Sequence, residues 1–159
     1  MKLFQFRSQL RLDRTRDEIF DYFSNALNLE QITPPWLHFQ VVSQLPIQMC
    51  EGTEIEYRLA IRRIPVRWRS RITVWDPPRR FVDEQVHGPY RRWIHEHRFL
   101  DAGNATSCED FVQYATWGGA LINKLFVERD IRSIFAYRSE RLRQTFEKRA
   151  EAASFHNPE

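Results

Sequence analysis

His95 and His97 stand two residues apart in the run Trp93-Ile-His95-Glu-His97-Arg-Phe99, where apolar and polar residues alternate. Alternation is the period of a half-buried strand, so both imidazoles share a face with Trp93 and Phe99. An imidazole beside a carboxylate can take or give a proton near neutral pH. Two acids are candidates for that partnership. Glu84 lies before the turn signal Gly88-Pro89, which makes a hairpin of residues 81–87 and 90–100. With Val86 opposite Arg91, Glu84 faces Trp93 and Val82 faces His95, so Glu84 falls on the histidine face. Asp110 lies in the last alternating run, residues 106–115, on one face with Cys108, Val112 and Tyr114. Ala102-Gly103-Asn104 joins that run tightly to the hairpin. A cation completes the set. Arg138 sits at helical spacing from Ile131, Ile134 and Leu142, on the apolar stripe of a C-terminal helix. A buried guanidinium needs a partner, and Asp110 or Glu84 is expected to supply it.

Three roles compete for such a cluster. It can be a satisfied structural network, since buried polar groups are nearly always paired. It can orient the polar end of a mostly apolar ligand. It can move protons, although no nucleophile motif accompanies it. The pair His95-x-His97, with Glu84 and Asp110, is also a conceivable metal ligand set, but nothing in the spacing defines a coordination geometry, and the expectation is no metal and no cofactor. Cys50 and Cys108 lack CxxC spacing and read as reduced, small apolar residues.

The elements that must position these residues follow from periodicity. Residues 2–12 alternate, with Phe4, Phe6, Ser8, Leu10 and Leu12 on one face. Thr15-Arg-Asp-Glu18 matches a capping box and opens a helix. A second short helix, residues 26–31, ends before Pro34-Pro35. Strands are expected at residues 37–45, 52–62 and 67–75, the last with Trp68, Ser70, Ile72 and Val74 opposed to Arg67, Arg69 and Arg71. A long helix covers about residues 119–150, with Val127, Ile131, Ile134, Phe135 and Leu142 as its apolar stripe. One helix cannot cover both faces of a sheet of six to seven strands. The predicted fold is therefore α+β: a curved antiparallel sheet wrapped around one long C-terminal helix, with two short helices after the first strand. The gap between sheet and helix is a natural ligand cavity. Its expected wall is Tyr57, Trp68, Trp93, Phe99, Ile131 and Phe135. Its expected polar members are Glu84, His95, His97, Asp110, Tyr114 and Arg138.

The 159 residues suit one domain, expected over residues 1–150 with a C-terminal tail at 151–159. The net charge of +3 comes mainly from arginine, but 21 acids are interspersed, which argues for a solvated surface and against a nucleic-acid partner. No run approaches the ~20 apolar residues that span a bilayer, and the N-terminus lacks the apolar core of a secretory signal, so a cytoplasmic location without membrane insertion is expected.

Specific residues also carry a resemblance. Ile64-Pro65-Val-Arg-Trp68, Phe81-Val-Asp83-Glu-Gln85, Gly88-Pro89-Tyr90, Trp93-Ile-His95-Glu-His97-Arg-Phe99 and Ile134-Phe135-Ala-Tyr137-Arg138 resemble the START-like, or SRPBCC, superfamily. The nearest subgroup is a bacterial set of stand-alone ligand-binding domains. The resemblance covers about residues 3–148 and implies the helix-grip fold. It implies binding of a small hydrophobic, lipid-, polyketide- or aromatic-like molecule, or alternatively cyclase/dehydratase chemistry. It carries over no catalytic residue.

Overall fold

The computed structural model describes the backbone of residues 1–155 and the side chains of residues 1–149. Seven strands form one antiparallel sheet: β1 (Phe4–Leu12), β2 (Gln40–Val41), β3 (Glu54–Ile61), β4 (Ile64–Asp76), β5 (Arg80–His87), β6 (Arg92–Asp101) and β7 (Thr106–Ala115). Their spatial order is β1-β7-β6-β5-β4-β3-β2, so β1 closes the sheet beside β7. Helices α1 (Arg16–Phe23) and α2 (Asn28–Gln31) follow β1. The capping box is formed: Thr15 accepts from the Glu18 amide, and the Glu18 carboxylate accepts from the Thr15 amide.

The C-terminal helix begins as α3 (Gly119–Ile122), loosens into a π-turn (Asn123–Val127) and continues as α4 (Glu128–Phe155). Gly118 and Gly119 both have positive φ, which lets the chain turn sharply from β7 into α3. Helix α4 reaches Phe155, so part of the segment expected as a tail is helical; residues 156–159 lie outside the described part.

Two expected strands are corrected. Residues 37–45 do not form a full strand: a 3₁₀ turn covers Pro35–Leu37, His38 adopts a left-handed conformation, and only Gln40–Val41 pairs with β3. Strand β4 is longer than expected and irregular, with register breaks against β5 between Arg69 and Ser70 and between Ile72 and Val74. The second break ends the simple alternation: Trp75, and not Val74, packs against the core, in contact with Phe20 and Phe81.

The concave face of the sheet carries three apolar clusters. One joins β1, α1 and the far half of α4 through Leu10, Phe20, Phe99, Leu142 and Phe146. A second joins β7 to the near half of α4 through Val112, Tyr114, Ile131 and Phe135. The third surrounds Ile55 and Tyr57 on β3. The polar residues of interest sit between them.

Candidate functional site

The β5–β6 register decides which acid meets the histidines. Asp83 pairs with His95 and Phe81 with His97, one residue away from the register the turn suggested. A one-residue slip moves every side chain to the opposite face. Glu84 is therefore not part of the interior cluster. It pairs with Ile94 and Arg71 on the convex side, within hydrogen-bond reach of Thr73. Asp83 takes its place. The Gln85 side chain explains the slip: it donates to the Tyr90 carbonyl and accepts from the Tyr90 amide, holding a wider loop around Gly88-Pro89 than a tight turn would make.

Across the concave face runs a hydrogen-bonded chain that touches five neighbouring strands. The Trp68 indole donates to Ser70 Oγ at 3.0 Å, and Ser70 donates to Asp83 Oδ1 at 3.3 Å. His97 Nε2 lies 3.2 Å from Asp83 Oδ2, and His97 Nδ1 lies 3.2 Å from Asp110 Oδ1. His95 Nε2 is 2.7 Å from the same Asp110 oxygen. Ser8, opposite Asp110 on β1, donates to Asp110 Oδ2 at 3.2 Å. Both imidazoles are buried, with 5% and 7% of the residue exposed.

The proton inventory follows from these partners. Both carboxylates are deep enough that burial alone would raise their pKa values, yet the histidine hydrogen bonds prevail and hold Asp83 below the ordinary carboxylate value and Asp110 well below it. Burial disfavours the charged form of His97, but its bonds to Asp110 and Asp83 outweigh this and raise its pKa. Phe81 stacks on the same ring at 4.1 Å, a face that suits a cation. His95 goes the other way: burial and the neighbouring His97 charge lower its pKa, despite the Asp110 bond. The consistent state is an imidazolium at His97, donating to both acids, and a neutral His95 donating from Nε2 to Asp110. His95 Nδ1 then carries a lone pair, 3.8 Å from Asp83 Oδ2 and too far to bond it.

These groups border a cavity of about 160 Å³ between the sheet and the helices. Of the residues expected in it, Tyr57, Trp68, Trp93, His95, His97 and Arg138 line it. Asp110 stands behind the histidines, and Phe99, Tyr114, Ile131 and Phe135 pack into the adjoining apolar clusters. The α1–α2 side of the wall adds Phe23, Ala26 and Leu29, and the segment before β3 adds Phe39 and Met49; Phe23 shares the apolar side of α1 with Ile19 and Phe20, but that pattern marks a packed face and does not say that the face borders a cavity. Asp83 was missed for want of the register.

Arg138 points toward the sheet as expected, but its expected carboxylate bond is absent. Its Nε and Nη1 are buried without a hydrogen-bond partner among the described residues, and the guanidinium lies 4.9 Å from the Phe135 ring centre. The reason is that both interior acids are already engaged by histidines. The guanidinium still lies near enough to Asp83 to help hold its pKa down.

The model of the family described as polyketide cyclase / dehydrase and lipid transport matches residues 12–135, which is most of the chain. The chain belongs to that family. Its fold recurs in solved structures. The Zhui aromatase/cyclase from a Streptomyces species is 14% identical and superposes with a TM-score of 0.74, covering 96% of this chain and 98% of that one. A START superfamily protein from Mycobacterium smegmatis (9% identical, TM-score 0.67, 91% and 97% covered) and a major latex-like protein from Panax ginseng (10% identical, TM-score 0.68, 91% and 97% covered) share the same architecture. At such identities the likeness is one of fold. No curated protein sequence matches significantly. A fold does not fix a function, and what the cavity holds must be argued from this chain's own residues. Among the described residues, no helix is long and apolar enough to cross a membrane.

Proposed function

We propose that this protein binds a compact, largely apolar molecule carrying one carbonyl or carboxylate group, with that group directed at Arg138. The observation that carries this reading is the pairing of an aromatic cavity with a guanidinium whose buried Nε and Nη1 have no hydrogen-bond partner among the described residues. Buried donors left unsatisfied cost about 1–3 kcal/mol each, and a ligand oxygen removes that cost on binding. Volume bounds the occupant. Apolar cavities of about 150 Å³ accept a benzene-sized guest, so a space of about 160 Å³ suits one or two rings better than an extended chain.

A second reading has its own observation. His95 Nδ1 lies 3.8 Å from Asp83 Oδ2, beyond hydrogen-bond reach, on an imidazole held by Asp110 and bordering the cavity; with Nε2–H given to Asp110, Nδ1 has the free lone pair a general base requires. A cyclase or dehydratase would use it to take a proton from a bound ligand.

Titration of tag-free protein with a naphthalene-type fluorescent probe, followed by competition with naphthoate and with the uncharged parent naphthalene, tests the binding reading. Saturable one-to-one binding is expected, with naphthoate the stronger competitor and its advantage reduced at least tenfold in Arg138→Met. Equal competition by both compounds, or an unaltered preference in the variant, would overturn it.

A further inference from the structure

We propose that Asp83, His95 and His97 form a binding site for one divalent first-row transition metal ion, oriented from behind by Asp110 and open toward the cavity. The inference goes beyond ligand binding and does not depend on it. It begins with the strand register. Asp83 and His95 are directly paired on β5 and β6, and His97 is two residues along the same face, so three donors meet on one patch. One ligand atom from each lies within 4.8 Å of the other two. His97 Nε2 is 3.2 Å and His95 Nδ1 3.8 Å from Asp83 Oδ2. Donors held about 2.1 Å from a tetrahedral ion stand roughly 3.4 Å apart, so only small side-chain adjustments separate this patch from a coordination sphere.

The nitrogens turned away from that patch strengthen the assignment. Asp110 Oδ1 sits 2.7 Å from His95 Nε2 and 3.2 Å from His97 Nδ1. A single carboxylate therefore holds both rings by their far nitrogens, leaving His95 Nδ1 and His97 Nε2 facing Asp83. Metal-ligating histidines characteristically donate their other N–H to such a carboxylate. Ser8 in turn steadies Asp110.

Charge and space agree. Two carboxylates and two neutral imidazoles carry −2, which favours a divalent cation; the Arg138 guanidinium, near Asp83 on the same cavity, is the one fixed positive charge among the described lining residues. The donor set, two imidazoles and one carboxylate, suits first-row transition ions over magnesium or calcium. Asp83, His95 and His97 all line the cavity, whereas Asp110 does not, so the unfilled coordination positions face the ligand space. From the chain alone Glu84 and Asp110 are the acids that could complete the set; the register supplies Asp83 in place of Glu84, and with it a geometry that the spacing His95-x-His97 does not define.

The test uses tag-free protein stripped with chelator and titrated with cobalt(II) or zinc(II) salts alone. One equivalent of cobalt is expected to bind with visible d–d absorption, and zinc is expected to displace it. Asp83→Asn and His95→Ala should each weaken binding at least tenfold, and Asp110→Asn about 10- to 100-fold, whereas His38→Ala and His87→Ala should change nothing. Because interior variants can unfold, paramagnetic shifts of the His95 and His97 ring signals are to be read in the unaltered protein with one equivalent of cobalt. The absence of a stoichiometric site, or shifts confined to other histidines, would overturn the proposal. Since no organic ligand enters this experiment, its failure leaves the Arg138 reading standing, and failure of the naphthoate competition leaves this one standing.

Discussion

The two faces of strand β6 use the same chemistry in opposite surroundings. On the convex side Glu96 accepts from Arg80 at 3.0 Å and from Arg98 at 2.8 Å, with the arginine side chains 44% and 51% exposed. On the concave side, one residue to either side in the chain, the buried His95 and His97 meet the partly buried Asp83 and Asp110. Both faces show short charged hydrogen bonds, so a count of ion pairs would rate them alike. Water reaches the two arginines of the outer set, and pairs with such exposed partners typically contribute 1 kcal/mol or less. The difference lies in the cationic partners: the inner imidazoles have lost nearly all their exposure, so removing an acid leaves a buried group without its partner.

The largest expected effect comes from breaking the inner set at its shared member. Asp110→Ala leaves His97 without one acceptor and His95 without its orienting bond, and should destabilise the protein by about 3–5 kcal/mol in urea unfolding. A loss below about 1 kcal/mol would mean that the cluster is hydrated and no different from the outer set.

A pH series on the metal-free protein sharpens the contrast. The raised pKa of His97 contributes stability that is present below its ordinary value of 6.5 and is lost as pH climbs through the raised one. The lowered pKa of His95 acts oppositely: stability grows as pH rises from the lowered value toward 6.5. The lowered values of Asp83 and Asp110 add stability above the ordinary carboxylate value of 3.8, lost as pH falls through the lowered ones. The cluster's contribution should therefore peak near pH 6.5, and histidine NMR titrations should show one ring above that value and one below. Two rings titrating together would sink this account. The smallest effect belongs to the outer face. Arg98→Ala should change unfolding free energy by less than about 1 kcal/mol, and by still less in high salt.

The helix-grip architecture was legible because it depends on coarse features. Alternating runs, one long apolar-striped helix and a capping box at Thr15 survive an error of a residue or two. The site does not. His95, His97 and Asp110 were placed on the inner face by alternation within their own strands. Glu84 was placed there by assuming a tight turn, and the Gln85 clasp on Tyr90 shifted the register by one, exchanging Glu84 for Asp83. Arg138 was assigned a carboxylate partner on the general rule that buried charges pair. That rule could not reveal that the histidines already occupy both acids. The bulge in β4 that brings Trp75 inward has no local signature, since Thr73-Val74-Trp75 reads as ordinary strand.

The cavity has a mechanical consequence as well. Unfolding abolishes internal void, so the volume change on unfolding is negative, by some tens of millilitres per mole for ordinary domains, and hydrostatic pressure favours the smaller state. A space of about 160 Å³ in a chain of this size should make the unliganded protein soft to compression. Whatever occupies the space removes that softness, so resistance to pressure becomes a gauge of occupancy that requires no knowledge of the occupant's identity.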